Sequence, residues 1–361
     1  MRLLVALGTR PEAIKLAPVV LALRARGAAV QVVTTGQQPV LAADALAAFG
    51  IAPDVALAAP GARGLSDSVA GMLQAIAGAI AEARPDAVVV QGDTASCFAA
   101  GFAAFHARVP VAHVEAGLRS GRLDNPFPEE GYRIAVDGIA RWLFAPTEPA
   151  AAHLSAEAAR GAEILVTGNT GVDALLAMRA RVAGDPCPVP LPAGARLVVA
   201  TLHRREAFGR VMDGLAEALA RIASRQDVML ALPLHSNPAA AAPLAARLSG
   251  LPRVTLLDAL PYPRMVRLLA SAALLLTDSG GLQEDAPALG LPVLVLRDTT
   301  ERPEAIAAGS ALLAGTDPER IVTLANRLLA DEPRRAAMAV PRFPYGDGQA
   351  AGRIAAALLG A

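Results

Sequence analysis

Short, almost wholly apolar runs alternate along this chain with longer stretches of helical period. Leu3–Leu7, Val30–Thr34, Ala87–Gln91, Val109–His113, Trp142–Ala145 and Ile164–Thr167 read as strands. Between them Ala13–Arg26, Ser66–Ala83 (closed by Pro85) and Thr94–Ala107 read as helices. Strands that lack polar alternation are buried on both faces, which is the mark of a parallel sheet covered by helices. The segment from Gly184 to Gly194 holds four prolines and cannot form a regular element. Beyond it the alternation restarts, with strands at Leu197–Ala200, Val228–Leu232, Val254–Leu257, Ala273–Thr277 and Val293–Leu296 and a helix at Arg210–Ala223. The pattern predicts an α/β chain of two doubly wound, Rossmann-like halves facing a cleft, with ligands at the carboxyl ends of the strands.

Length and composition agree with that division. At ~150 residues per domain, 361 residues suggest two domains, and 54% hydrophobic content is ample for two cores. Lys+Arg and Asp+Glu are 33 each, so the basic excess of a nucleic-acid binder is missing. Two cysteines, Cys97 and Cys187, exclude a disulfide scaffold. The apolar start Leu3–Leu7 is too short for a signal peptide, and the uncharged run from Val228 to Ala246 is broken by three prolines. A cytoplasmic protein without a membrane partner is expected. Of the 33 basic residues only Lys15 is lysine: either it survives by chance on a helix surface, or its place needs a compact ammonium on a flexible stem.

The polar residues cluster just after the strand runs. Gly8-Thr9-Arg10-Pro11-Glu12, followed by Lys15, combines a glycine turn, a helix start and two cations, which suits an anion. Asp93 follows Gly92 after the next strand, where capping the following helix is its commonest role. His113 and Glu115 have the same parity and share a face if their strand continues. Glu129 and Glu130 precede a helix, where acids favour the dipole. Three carboxylates, Asp93, Glu115 and Glu129, at one sheet edge nevertheless point to a site. In the second half His203-Arg204-Arg205-Glu206 forms a cationic, proton-competent patch. Asp278-Ser279-Gly280-Gly281 is a second phosphate-type helix start, with Glu284 or Asp285 one turn on as acceptors for ribose hydroxyls. A dense charged stretch, Arg297 to Glu304, falls on the same predicted edge. The histidines His113, His203 and His235 lie far apart, no metal-ligand spacing occurs, and His106 and His153 read as structural. Neither a Gly-x-Gly-x-x-Gly after the first strand, nor a P-loop, nor a Gly-x-Ser-x-Gly elbow is present.

Eight ordered blocks carry a resemblance. They are Gly8-Thr9-Arg10-Pro11-Glu12-Ala13-Ile14-Lys15, Gly92-Asp93-Thr94, His113-Val114-Glu115-Ala116-Gly117-Leu118-Arg119, Pro128-Glu129-Glu130, His203-Arg204-Arg205-Glu206, Asp278-Ser279-Gly280-Gly281, Arg297 through Pro303, and Pro344-Tyr345-Gly346-Asp347-Gly348-Gln349. Together they resemble the non-hydrolysing UDP-N-acetylglucosamine 2-epimerases. The resemblance implies a glycosyltransferase-B-type fold, with an N-terminal domain of residues 1–168, a UDP-binding domain of residues 169–346, and a C-terminal helix at about 347–361 packing back on the first domain. It implies interconversion of UDP-GlcNAc and UDP-ManNAc by elimination and re-addition of UDP through a glycal, with no metal and no cofactor. It implies catalytic roles for Asp93, Glu115, Glu129 and His203. It implies substrate contacts from Arg10, Lys15, Ser279, Gly280, Gly281, Asp285 and Arg302, and a homodimer.

Three departures bear on specificity. Gln37-Gln38-Pro39-Val40 stands where the family usually has Gln-His-Arg-Glu; with Arg204 and His235, that loop resembles the region where bacterial members bind a second, activating UDP-GlcNAc. Asp285 replaces a usual glutamate and Tyr132 a usual asparagine. A hydrolysing epimerase, an epimerase of a modified UDP-sugar such as a diacetamido uronic acid, a glycosyltransferase and a silent nucleotide-sugar-binding protein are the rival readings. The three carboxylates weigh against the transferase, because it needs no proton transfer at C2.

Overall fold

The computed structural model describes residues 1–59, 63–157, 161–204, 209–235, 238–300 and 302–360. It divides into two compact units, Met1–Ala174 with Tyr345–Ala361, and Leu175–Pro344. Both are doubly wound, as the alternation predicts.

In chain order the first unit comprises β1 (Arg2–Leu7), α1 (Arg10–Ala25), β2 (Ala29–Thr34), α2 (Pro39–Ala47), β3 (Val55–Ala56), α3 (Leu65–Ala83), β4 (Ala87–Gln91), α4 (Ala95–His106), β5 (Val111–Val114), α5 (Glu129–Asp137), β6 (Trp142–Ala145), α6 (Glu148–Glu157) and β7 (Glu163–Val166). The unit boundary falls inside α7 (Thr170–Arg181). The second unit continues with β8 (Arg196–Thr201), α8 (Arg210–Ala223), β9 (Val228–Pro233), α9 (Pro238–Leu248), β10 (Val254–Leu257), α10 (Tyr262–Ala270), β11 (Leu274–Thr277), α11 (Gly280–Leu289), β12 (Val293–Val295), α12 (Pro303–Ala307), β13 (Ala311–Leu313), α13 (Pro318–Ala330) and α14 (Glu332–Met338). The final helix, α15 (Ala350–Leu359), packs on α1 of the first unit, and the Asp173 carboxylate accepts from the backbone N–H groups of Ala350 and Ala351 at its start.

Both sheets are parallel throughout the described pairings. Their strand orders are β3-β2-β1-β4-β5-β6-β7 and β10-β9-β8-β11-β12-β13. The central strands are fully buried, as their apolar runs require: Leu3–Leu7 and Val88–Val90 in one core, Leu197–Ala200 and Leu274–Leu276 in the other. Successive strands are added first to one side and then to the other. Each sheet therefore has one switch point, between β1 and β4 and between β8 and β11, where the chain leaves neighbouring strands toward opposite faces. The loops at the carboxyl ends of those four strands are where a crevice opens. They contain Thr9, Asp93, His203 and Ser279.

Two edge strands, β3 and β13, are too short to stand out as apolar runs. The fifth strand sits later than its apolar run suggests, at Val111–Val114, because Pro110 cannot donate to the ladder. Among the described residues no helix is long and apolar enough to cross a membrane.

Candidate active site

At the first switch point the β1–α1 turn is built around Glu12. Thr9 caps α1 in a capping box, its hydroxyl accepting from Glu12 N–H while the Glu12 side chain returns to the Thr9 backbone. One Glu12 oxygen accepts from Gly8 N–H (3.0 Å), Thr9 N–H (2.8 Å) and the Thr9 hydroxyl (2.8 Å); the other accepts from the Thr94 hydroxyl at 2.7 Å. Burial pushes the Glu12 carboxyl above its ordinary value even against these four donors. Glu12 thus ties the end of β1 to the end of β4. Gly8 permits the approach: a Cβ there would lie 1.9 Å from Ser96 Oγ and 2.1 Å from Thr35 Oγ1.

The fixed turn leaves Lys15, one helical turn on, pointing at Glu115 with Nζ 2.5 Å from Oε1. The other Glu115 oxygen accepts from the Gln91 side-chain amide. The condition for Glu115 to share a face with His113, that the strand continue, is not met. The strand ends at Val114, and Glu115 has φ +65°, in the left-handed region. That twist swings the Glu115 carboxylate to Lys15, while the His113 ring lies fully buried beneath.

Asp93 does not cap α4 either. Thr94 is the cap, its hydroxyl accepting from Cys97 N–H at 3.0 Å. Asp93 instead meets the Arg133 guanidinium of α5 at 2.8 Å. Glu129, half-buried, opens α5 and makes no ion pair among the described residues. Its charge, after burial, raises the neighbouring Tyr132 hydroxyl, whose ring stacks on Phe98 at 4.7 Å. Glu130 is structural: buried, it accepts from the N–H groups of Ser120 and Gly121. Asp93 thus follows β4, Glu115 follows β5 and Glu129 opens α5, with Asp93 paired to Arg133 and Glu115 to Lys15. Arg10 is exposed at the first turn of α1, where its N–H donates to Gln38 Oε1 at 3.3 Å. Gln37 Oε1 accepts from the N–H and hydroxyl of Ser96, so both glutamines brace this turn.

At the second switch point Asp278 is the organiser. Its Oδ2 accepts from His203 N–H and Arg204 N–H, both at 2.9 Å, and its Oδ1 lies 3.0 Å from His203 Nδ1. Burial raises the Asp278 carboxyl, but the His203 ring and the two N–H groups outweigh it and hold it below its ordinary value. With Nδ1 facing a carboxylate, His203 turns Nε2 outward, the geometry of an oriented acid–base group. Its ring stacks on that of His235, with centroids 5.6 Å apart.

Ser279 caps α11. A Cβ on Gly280 would sit 3.6 Å from Arg204 Nη2 and 3.8 Å from Arg302 Nη2, so two guanidinium groups flank the first turn of this helix. Arg302 is steered there by Glu284, whose buried carboxylate accepts from Arg302 Nε at 2.6 Å. One Glu284 oxygen is thus engaged by Arg302. Asp285, the next residue, is half-buried and close enough to Tyr262 that its charge, after burial, raises the phenol well above its ordinary value. A helix N-terminus between two arginines is built for a diphosphate. Arg205, Glu206 and Glu301 lie outside the described residues. Among those described, no cluster of His, Cys, Asp or Glu is placed to hold a metal.

Sequence reasoning missed Glu12, Gln91 and Arg133 as site-building residues. Glu12 had a signal, the Thr9-x-x-Glu12 spacing of a capping box. The others act through tertiary pairings that spacing does not reveal.

A family model described as UDP-N-acetylglucosamine 2-epimerase matches residues 21–359 of the chain. The UDP-N-acetylglucosamine 2-epimerase of Escherichia coli K12 is 44% identical over 370 residues, covering 99% of this chain and 98% of that protein. The crystal structure of UDP-GlcNAc 2-epimerase from Neisseria meningitidis bound to UDP-GlcNAc superposes with a TM-score of 0.91 at 35% identity, covering all of both chains. A structure titled as the glycotransferase of kitacinnamycin superposes at 0.65 with 16% identity, over 99% of this chain and 98% of that one, which reflects a shared fold alone.

Proposed function

The chain belongs to the UDP-N-acetylglucosamine 2-epimerase family, and we propose that it is itself the non-hydrolysing enzyme, interconverting UDP-GlcNAc and UDP-ManNAc. The reaction eliminates UDP from C1 with loss of the C2 proton, forms a 2-acetamidoglucal, and re-adds UDP with a proton delivered to the opposite face of C2.

The second unit suits the nucleotide. Departing UDP is an anion, and Arg204, Arg302 and the free-ended first turn of α11 at Ser279, Gly280 and Gly281 supply positive potential for it. Asp285 accepts from the ribose, and His203, aimed by Asp278, protonates or steadies the leaving phosphate. The first unit suits the sugar. The C2 hydrogen is barely acidic, so its removal accompanies C1–O cleavage, and developing positive charge at C1 calls for nearby carboxylates. Both Glu115 oxygens accept from donors, Lys15 and Gln91, which fits Glu115 for stabilising that charge. Asp93 and Glu129 then carry the protons at C2, because inversion needs a group on each face. Arg10 and Lys15 complete the anion contacts. The same reading places a homodimer in the cytoplasm, feeding ManNAc units into surface polysaccharide.

The observation that carries this reading is the pair of switch points, one with the Asp93 and Glu115 carboxylates beside it and the other with a cationic helix start. Proton NMR of the protein with UDP-GlcNAc in deuterium oxide tests it. Deuterium at C2 together with UDP-ManNAc is the expected result. Free ManNAc and UDP would identify a hydrolysing enzyme. An unchanged UDP-GlcNAc spectrum would refute the assignment of substrate and turn attention to modified UDP-sugars, for which Tyr132 beside Glu129 is the departure that matters.

A further inference from the structure

His113 is fully buried, and no step above uses it. Its Nδ1 lies 2.6 Å from Asp137 Oδ1 on α5, and its Nε2 lies 2.7 Å from the Gly92 carbonyl oxygen at the end of β4. Both neighbours are acceptors. A neutral imidazole has one N–H, so one of these two close contacts would set lone pair against lone pair. A proton on Asp137 would resolve the clash, but Asp137 Oδ2 also receives the Arg119 guanidinium at 2.8 Å and Gly117 N–H at 3.2 Å. Burial raises the Asp137 carboxyl, yet His113 and Arg119 outweigh it and hold it below its ordinary value. The proton therefore sits on the ring.

We propose that His113 is a positioning residue of the proposed epimerisation: a buried imidazolium that donates to Gly92 and Asp137 and so holds the end of β4 beneath Asp93 and Glu115. The inference rests on the catalytic roles proposed for those two carboxylates.

Gly92, at φ +72°, is the turn residue that aims Asp93. Its N–H donates to Val114 O at 3.0 Å, and its carbonyl accepts from His113 and, at 3.2 Å, from the Cys97 thiol. A Cβ on Gly92 would stand 3.7 Å from Glu115 Oε2, so a shift of this peptide moves both proposed catalytic carboxylates. The ring ends a charged chain that runs from Glu157 on α6 through Arg119 and Asp137, and passes it on to the Gly92 carbonyl. The groups facing it are Asp137 from α5, Cys97 from α4 and the Asp93 charge beyond Gly92. Burial, first, and then the carboxylates around it push the Cys97 thiol far above its ordinary value, so the Cys97–His113–Asp137 sequence of contacts is not a nucleophilic triad. Burial lowers the His113 ring, but the Asp137 charge and hydrogen bond and the Gly92 carbonyl together raise it above its ordinary 6.5.

Nitrogen-15 NMR of histidine-labelled protein reads the ring directly. Both His113 nitrogens are expected to carry protons at pH 7.5; one bare nitrogen there overturns the proposal. In turnover, His113→Phe removes both donors and is expected to lower kcat about 100-fold with KM little changed, the scale of a misplaced catalytic group. His113→Gln, whose amide can still reach Gly92, should retain part of that loss. Wild-type kcat is expected to fall as pH rises through the raised pKa of the ring, a limb that His113→Gln lacks. A folded His113→Phe with wild-type kcat overturns the proposal. If that variant does not fold, ring protonation and the pH limb decide. Failure of the wild type to turn over any UDP-sugar would strike the proposed function instead, because ring protonation is read without turnover.

Discussion

Truncating Glu12 to alanine isolates the device that builds the first switch point. The substitution strips the partner from four donors: Gly8 N–H, Thr9 N–H and the hydroxyls of Thr9 and Thr94. At about 1 kcal/mol net for each bond the gross loss is about 4 kcal/mol. Burial opposes the Glu12 charge, so removing it recovers part of that sum. A net destabilisation of about 3 kcal/mol is expected, which for a domain of roughly 150–250 residues lowers the midpoint by about 9 °C. The assay is built into the chain. Its one tryptophan, Trp142, is buried in β6, so intrinsic tryptophan fluorescence follows the first unit by itself during urea or thermal unfolding. The pH dependence has a definite sign. A carboxyl whose folded pKa is raised contributes stability below its unfolded value, and loses that contribution as pH rises through the folded pKa. The gap between wild type and Glu12→Ala should therefore widen on acidification toward 4.5. A loss below about 1 kcal/mol, or a gap that narrows in acid, would refute the view that Glu12 organises this turn.

Lys15→Arg tests the lone lysine: Lys15 Cε already lies 3.6 Å from where a Gly171 Cβ would stand, and the planar fork cannot replace an ammonium 2.5 Å from Glu115, so kcat should fall at least about 10-fold with unfolding unchanged; full activity would remove the argument. Gly280→Ala should stabilise the second unit by about 0.5 kcal/mol, because its Cβ meets only ordinary contacts. The same methyl faces the two guanidinium groups, so calorimetry should find UDP affinity reduced, and an unchanged affinity would place the diphosphate elsewhere. Asp278 is held below its ordinary 3.8, so its contribution to the second unit is present above that value and lost as pH falls through the folded pKa. Asp278→Asn should flatten the acid limb of second-unit stability followed by circular dichroism, and an unaltered limb would deny the His203–Asp278 pairing.

How much of this was legible depended on whether the information was local. The strands at Ala87–Gln91 and Trp142–Ala145 stand at the expected residues because a doubly covered parallel strand is a continuous apolar run. β3 and β13 were not legible, since two or three edge residues carry no period. The clustering of Asp93, Glu115, His203 and Ser279 after strands was legible because parallel sheets put all their carboxyl ends on one edge. What each carboxylate does there was not. Parity would have put Glu115 on the His113 face had the strand continued, but it ends at Val114 and Glu115 is left-handed. Capping was the bland alternative for Asp93, but Thr94 is the cap and Asp93 pairs with Arg133, forty residues on. Glu129 and Glu130 looked alike, yet Glu130 is consumed by two backbone donors while Glu129 is not.

That division has a physical basis, and it explains why the two sheets carry opposite chemistry on one topology. At a switch point, the chains leaving two neighbouring strands diverge, so the ends of both strands point into space that neither loop fills. Polar groups there cannot be satisfied by the sheet and must be tied down by what the loops supply. In the first unit the tying group is itself a carboxylate, Glu12, bridging β1 to β4, and the residues after the strand ends are the partly buried Asp93 and Glu115, with cations brought in from helices. In the second unit the tying carboxylate is Asp278, bridging β11 to the His203–Arg204 peptide, with Thr201 and Thr277 hydroxyls joined at 2.7 Å just below. There the buried acid turns its donors' side chains outward, so the residues left at the edge are a histidine and arginines. One buried carboxylate stitches each crevice, and the side chains left over set its charge.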